Sequence, residues 1–387
     1  MSQPGCRLCG AGTRSFYQVE SVPTSSCILH LTREAALAQP VGTLDLAVCP
    51  ACGFIQNQAF ASGDVDYTLP YEDSQATSPT FVAFAERTAR QLVQKHGLKG
   101  KQVLEVGCGK AEWLAIACRV GAMTGLGVDP AYEPGRAEAG DFTVLSEFLG
   151  PESDFTGDLI ACRHTLEHVP NASEFAGWLR SSAIRTPGAV AFIEVPDTAR
   201  ILTEGAFWDV YYEHCSYFTA TSLRNLARVV GFEVLDLYLD FADQYLLLEA
   251  TPGEAGAPNA DAAHVVELAS SFNQRVDLAI STWRDRISAT TQLGRPAVLW
   301  GASSKAVGFI SSVAVDIAAA VDINKAKHGS YLSGSGTPVI SPAQLPELSP
   351  GLVVVMNPVY VPEIADQLSV MGVDASVVAV GADLAGS

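Results

Sequence analysis

The chain has 387 residues, 48% of them hydrophobic and only 17% charged, with a formal net charge of −18. That length exceeds one ordinary core and suits two or three packed domains, and the apolar content excludes a disordered chain. The acidic balance, with no run of Lys or Arg against it, opposes nucleic acid and anionic membranes as partners and leaves a small molecule as the expected one.

No apolar stretch is long enough to span a bilayer, and no basic segment followed by an apolar core opens the sequence, so a cytoplasmic protein is expected. Any phosphate on a substrate must meet locally placed Arg, Lys or helix N-termini. Nine cysteines in a large chain of this kind read as thiols and metal ligands rather than as a disulfide scaffold.

In chain order, the first signal is Cys6-Arg7-Leu8-Cys9 and Cys49-Pro50-Ala51-Cys52. Two C-x2-C pairs, each followed by a glycine (Gly10, Gly53), place four thiolates on two tight turns. Cys6, Cys9, Cys49 and Cys52 then make the closed tetrahedral set that structural Zn2+ prefers. The alternative is two unrelated, redox-active pairs, which the doubled spacing disfavours.

Next, 101–106 reads as an apolar strand that runs into Glu105-Val106-Gly107-Cys108-Gly109, with a helical pattern over 111–120 behind it. Glycines let the backbone approach a ligand, and the following helix presents free N–H groups. A second strand, 125–128, ends in Asp129, an acid placed to accept ribose hydroxyls. This order fits a dinucleotide-binding turn or an S-adenosylmethionine site. Glu112 stands where the third glycine of G-x-G-x-x-G belongs, and Glu105 would repel a pyrophosphate while suiting the positively charged methionine portion of S-adenosylmethionine. Both features favour the latter. Gly107, Gly109, Glu105 and Asp129 are thus cofactor-binding candidates, with Phe148 (after Asp141 and Phe142) at the adenine pocket.

The strand expected over 158–163 leads into His164-Thr165-Leu166-Glu167-His168. The run matches the H-x-x-E-H pattern of inverted zinc peptidases. It follows a methyltransferase-type strand in a chain with no other peptidase feature, so the match is read as coincidental. Two histidines at i and i+4 are expected to share one helix face and to line a pocket. After a further strand at 191–196, Tyr211-Tyr212-Glu213-His214 joins aromatic, carboxylate and imidazole. His214 suits a general base near neutral pH, and the Tyr211 hydroxyl suits stabilising a developing enolate oxygen. The bland alternative is a packed aromatic surface with a satisfied histidine.

Farther on, the Gly-, Pro- and Ala-rich segment 252–259 marks a boundary. A long helix is expected over 262–291. A second strand–turn–helix unit begins at Ala297-Val298-Leu299-Trp300-Gly301, and 352–356 reads as a buried parallel strand. Gly301-Ala302-Ser303-Ser304-Lys305 either cradles phosphate or belongs to a nucleotide-type fold that only shapes the cleft.

Taken together, the paired C-x2-C module, the Glu-x-Gly-x-Gly core with Tyr-Tyr-Glu-His, and the last α/β unit with Val321-Asp322-Ile323-Asn324 and Met356-Asn357-Pro358 resemble the sugar C-methyltransferases of antibiotic deoxysugar pathways. The resemblance spans nearly the whole chain. It implies an α/β fold: a class I methyltransferase Rossmann-like core at 76–252, an N-terminal zinc module at 1–75 and a C-terminal Rossmann-like domain at 253–387. It also implies methylation of a nucleotide-linked 4-keto sugar, with His214 abstracting the proton alpha to the ketone. Tyr211, Glu213 and His168 match further active-site positions, and Tyr71 in the segment 70–75 falls near a pocket tyrosine. Two positions depart from the pattern. His164 replaces an amide, and Phe241-Ala242-Asp243-Gln244-Tyr245 replaces a glycine-rich stretch. O- or N-methylation of another small metabolite fits the same scaffold, whereas a zinc-bearing sensor of S-adenosylmethionine fits the acidic charge and the Tyr-Glu-His segment poorly.

Overall fold

The structure, a computed structural model, describes residues 5–65, 71–72, 74–121, 123–134 and 140–381. Its sixteen strands, in chain order, are β1 (Arg14–Pro23), β2 (Val41–Val48), β3 (Ile55–Asn57), β4 (Gln102–Val106), β5 (Thr124–Val128), β6 (Phe142–Leu145), β7 (Leu159–Arg163), β8 (Val190–Pro196), β9 (Ser216–Tyr217), β10 (Phe232–Asp240), β11 (Tyr245–Pro252), β12 (Ala297–Trp300), β13 (Ala320–Val321), β14 (Val339–Ile340), β15 (Leu352–Val355) and β16 (Ser376–Ala379). They form three sheets.

The largest is ordered β10-β11-β8-β7-β4-β5-β6. It is parallel from β8 to β6, while β11 runs antiparallel to both β8 and β10. This is the class I methyltransferase arrangement. Its central strands read as near-continuous apolar runs because helices cover both faces: every residue of β7 is buried. The helix before the core, Pro79–His96, is set by local chemistry. The Ser78 side chain accepts from the Phe81 amide, Pro79 takes the first turn, and Gly97 closes the end at φ 63°.

The C-terminal sheet, β14-β13-β12-β15-β16, is parallel throughout. The run expected over 352–356 is its buried strand β15. The long helix is Ala263–Gln292, one residue from its expected bounds.

The first sheet is the one that places the site. Its order is β1-β2-β3-β9, so β9, from far along the chain, completes the N-terminal sheet by pairing Tyr217 with Ile55 and Ser216 with Gln56. A single core joins Leu44 and Ile55 of this sheet, Phe207 and Trp208 of the middle segment, and Phe272 and Trp283 of the long helix. Segments on both sides of the expected boundaries thus share one apolar core. The Tyr-Tyr-Glu-His segment is clamped where they meet. Among the described residues, no helix is long and apolar enough to cross a membrane.

Candidate active site and metal centre

Cys6, Cys9, Cys49 and Cys52 converge, with all four sulfurs within 4.8 Å of one another. The Cys6–Cys52 and Cys9–Cys49 sulfurs are 3.6 and 3.5 Å apart. Tetrahedral Zn–S bonds of about 2.3 Å require sulfurs about 3.8 Å apart, so these two pairs lie close to the spacing a zinc ion needs. The cluster is built into the surrounding core. Cys49 and Cys52 pack with Phe54, Phe218 and Leu223, and the Cys52 carbonyl accepts from Asn225 at 2.9 Å.

The glycine turn follows β4. Gly107 and Gly109 have φ of 70° and 51°, the left-handed region that favours glycine. A Cβ at Gly107 would collide with Thr165, whereas one at Gly109 would meet nothing within 4 Å. The Gly109 amide donates to Asp129 Oδ2 at 2.8 Å, and Asp129 Oδ1 accepts from Ala131 at 2.9 Å. Glu105 is 3% exposed, and its Oε2 lacks a partner among the described residues. Burial raises its carboxyl to about 8, against the pull of the Arg163 guanidinium; Glu194 and Asp129 push it further up. A buried carboxyl with an unfilled oxygen beside an open glycine fits a cationic group of a cofactor.

Beyond β7 the backbone turns at His164, whose φ is 48°, and only Leu166–His168 form a short 3-10 turn. The expectation that His164 and His168 share a helix face is therefore corrected: no helix forms there, and the two rings face different neighbours. His164 Nε2 lies 2.9 Å from Glu194 Oε1, and its Nδ1 lies 3.5 Å from Glu167 Oε1. Its ring meets Tyr245 edge-on at 4.5 Å. The two carboxylates outweigh desolvation and raise His164 to about 9. Arg163 grips Glu194 through two bonds of 2.9 Å and holds that carboxylate at about 2, overcoming its burial. His168 instead meets His214, ring to ring at 4.7 Å.

Tyr211, Glu213 and His214 lie between the 3-10 turn Phe207–Asp209 and β9. The His214 ring is 4.3 Å from Tyr211. Burial holds His214 well below the usual imidazole range, with His168 and His164 adding to the effect, and holds the Tyr211 hydroxyl well above the usual phenol range. Glu213 is reached from the N-terminal module: its Oε2 accepts from the Ser26 amide at 3.0 Å and from the Ser26 hydroxyl. The same hydroxyl contacts Ser304 at 2.8 Å. Burial, the largest influence, raises the Glu213 carboxyl, opposed by Ser26 and His168.

Opposite, the Lys305 ammonium is held by Asp209 Oδ1 at 2.9 Å and Gln244 Oε1 at 3.1 Å. It is therefore no spare counter-charge for phosphate. Glu72 ties the three parts together, accepting from Lys110 at 2.6 Å and Asn324 at 3.0 Å.

One cavity of about 370 Å³ gathers these groups. Tyr71, Glu105, Gly107 and Gly109 line it from the cofactor side, and His164, His168, Tyr211 and His214 from the other. Asp129 and Glu213 brace it from behind. Phe148 is 78% exposed on the loop after β6 and is not part of the cavity wall, which corrects its expected place in an adenine pocket. Residues 70 and 73, beside Tyr71, lie outside the described residues. Sequence reasoning missed Arg163, Glu194 and Ser26. Arg163 ends β7 and Glu194 lies inside β8, and a charged residue in each of two otherwise apolar strands was the available signal; Ser26 carried none.

A methyltransferase domain is matched over residues 81–237, and a C-methyltransferase C-terminal domain over residues 259–379. The chain is 24% identical over 393 residues to the C-methyltransferase NovU of Streptomyces niveus, covering 93% of this chain and 91% of that protein. Among solved structures it is similar to magnesium protoporphyrin IX methyltransferase from Synechocystis PCC 6803 (16% identity, 45% of this chain and 84% of that one, TM-score 0.36). It is also similar to 1,6-didemethyltoxoflavin-N1-methyltransferase from Burkholderia thailandensis (16% identity, 54% and 96%, TM-score 0.35).

Proposed function

Because this chain belongs to the C-methyltransferase family, we propose that it uses S-adenosylmethionine to methylate a carbon of a nucleotide-linked keto-deoxysugar, through an enolate formed by His214. The observation that carries the reading is one shared cavity: a neutral, buried imidazole opens onto the same space as the Glu105–Gly109 turn. The cofactor, when bound, supplies an electrophilic methyl group. Glu105 and the turn would hold it, with Asp129 bracing the Gly109 amide.

The chain's own groups suit proton removal. Burial keeps His214 unprotonated at neutral pH, so its lone pair is available to a proton alpha to a ketone. The Glu167 carboxyl, with an oxygen within 4.8 Å of a His214 ring nitrogen, then faces the imidazolium that forms. Tyr211, kept protonated, donates to a developing enolate oxygen. Structural zinc in the four-cysteine cluster would tie the first sheet, and through β9 the Tyr-Tyr-Glu-His segment, to the core.

Solvent deuterium should exchange into a nucleotide-linked 4-keto-deoxysugar at the carbon beside the ketone, and His214→Ala should abolish that exchange. A methylated product formed without exchange sinks the enolate reading and leaves O- or N-methylation. Metal analysis should find about one zinc per chain at the thiolates.

A further inference from the structure

Glu167, His168 and His214 each present a ligating atom, and the three atoms lie within 4.8 Å of one another. Glu167 is 2% exposed, and its Oε2 has no hydrogen-bond partner among the described residues. His164 Nδ1 meets the other oxygen, Oε1, at 3.5 Å, so Oε2 is the buried oxygen left for a further cation. Glu213, which lies close enough to His168 to feel its charge, adds a second buried acid. Both His168 and His214 open into the cavity.

We propose that Glu167, His168 and His214 form a second metal site, for a divalent first-row cation with nitrogen and oxygen ligands, and that an ion there and the base role of His214 exclude each other. The site differs in kind from the four-cysteine cluster. Two imidazoles and one carboxylate leave coordination positions open to the cavity, the pattern of an accessible ion rather than a closed structural one. Metal–nitrogen and metal–oxygen bonds of about 2.0–2.2 Å require small inward rotations of the three side chains.

The exclusion follows from the imidazole itself. Neutral histidine has one ring nitrogen with a free lone pair, the other carrying the hydrogen. A metal ligand and a general base use that same pair. With the ion bound, His214 cannot accept a substrate proton; with the ion absent, it can. Loss of one state is gain of the other. The site stands on geometry alone, whereas the exclusion rests on the base role proposed above.

Titration of metal-free protein with Co2+ separates the two centres. A first equivalent should give intense thiolate charge-transfer absorption from the four cysteines. A second should add ligand-field absorption without further charge transfer. Glu167→Gln and His168→Asn should each weaken the second equivalent by about tenfold or more and leave the first intact, which also certifies the fold of each variant. Binding of one equivalent only, or a second unmoved by both substitutions, overturns the site and leaves the enolate reading to its own exchange test. Filling the second site should suppress solvent deuterium exchange into the keto sugar by about tenfold or more. A filled site with undiminished exchange overturns the exclusion, and with it the base role of His214, while the metal site stands.

Discussion

At the end of β4 the Gly109 amide donates to Asp129 Oδ2 at 2.8 Å, and at the end of β12 the Ala302 amide donates to Asp322 Oδ2 at the same distance, each across twenty residues. The other oxygen of each acid accepts from the amide two residues on, Ala131 at 2.9 Å and Asn324 at 2.8 Å. Gly107 and Gly301 bond alike as well, to the Val128 and Val321 carbonyls at 2.8 Å. The frames match, and the chemistry placed on them does not. In strand register, Glu105 of the first unit corresponds to Leu299 of the second, which is fully buried. Lys327 occupies the second unit: its ammonium donates to the Ala302 carbonyl at 2.8 Å and lies 3.5 Å from Asp322 Oδ2. The same hydrogen-bond frame thus carries different groups in the two units. The first turn keeps an acid and an open glycine, and the second sets its own lysine beside Asp322 on the wall of the same cavity.

The sharpest way to break this comparison is to neutralise both acids. Asp322→Asn leaves the Lys327 ammonium buried against an amide, and should lower unfolding free energy by about 3 kcal/mol with S-adenosylmethionine affinity unchanged. Asp129→Asn should do the reverse, weakening the cofactor about tenfold with a smaller loss of stability. Denaturant unfolding and calorimetric titration read the two effects. Equal losses of affinity would make the second turn a ligand site too.

A second test uses pH. Glu105 keeps its proton to about 8 when folded, against 4.5 when unfolded. As pH rises between those values the unfolded chain releases the proton and the folded protein retains it. Stability contributed by the protonated carboxyl is complete below the lower value and is lost through the upper one, at up to about 1.4 kcal/mol per pH unit. The facing charges, Arg163 against Glu194 and Asp129, are included in that shift. Glu105→Gln should flatten the slope in cofactor-free protein. An unchanged slope assigns it to another group.

Smaller again, Lys327→Met should lower unfolding free energy by about 1–2 kcal/mol, because Asp322 loses its cation but keeps the Ala302 and Asn324 amides. If a nucleotide binds the C-terminal turn only in this variant, the lysine is what excludes it there.

Much of this was legible in the sequence, and for identifiable reasons. β4, β5, β7, β8, β12 and β15 announce themselves as apolar runs because parallel strands are buried on both faces, and four cysteines at doubled C-x2-C spacing announce a cluster. The candidate site was legible as a set of residue types but not as a geometry. His164 takes φ 48°, which no local pattern for a histidine predicts, so a helix face was expected where a bend separates the rings. Ser26 reaches Glu213 across 187 residues, and β9 joins a sheet begun near the N-terminus. Such pairings depend on the assembled core, and periodicity carries no trace of them. Lys327, which meets Asp322 at the second turn, sits in an unremarkable Lys-Ala-Lys.

The hairpin between β10 and β11 gives the smallest expected effect and bears on the same separation of frame from residue. Where the resemblance called for glycines, Phe241, Ala242 and Asp243 all have positive φ, at 53°, 55° and 59°. The left-handed conformation persists without the residue that adopts it freely, at roughly 1 kcal/mol or more for each side chain. Phe241 is compensated by stacking on Tyr245 at 5.1 Å and by packing against Phe84 at 4.8 Å. Ala242 is exposed and has no such compensation. Ala242→Gly should therefore raise stability, by about 0.5–1 kcal/mol after the extra unfolded-state entropy of glycine is set against the relieved strain. Phe241→Gly should lower it, because the aromatic contacts outweigh the strain they hold in place. If both substitutions stabilise, the hairpin tolerates its residues; if only Ala242→Gly does, Phe241 is what fixes the turn.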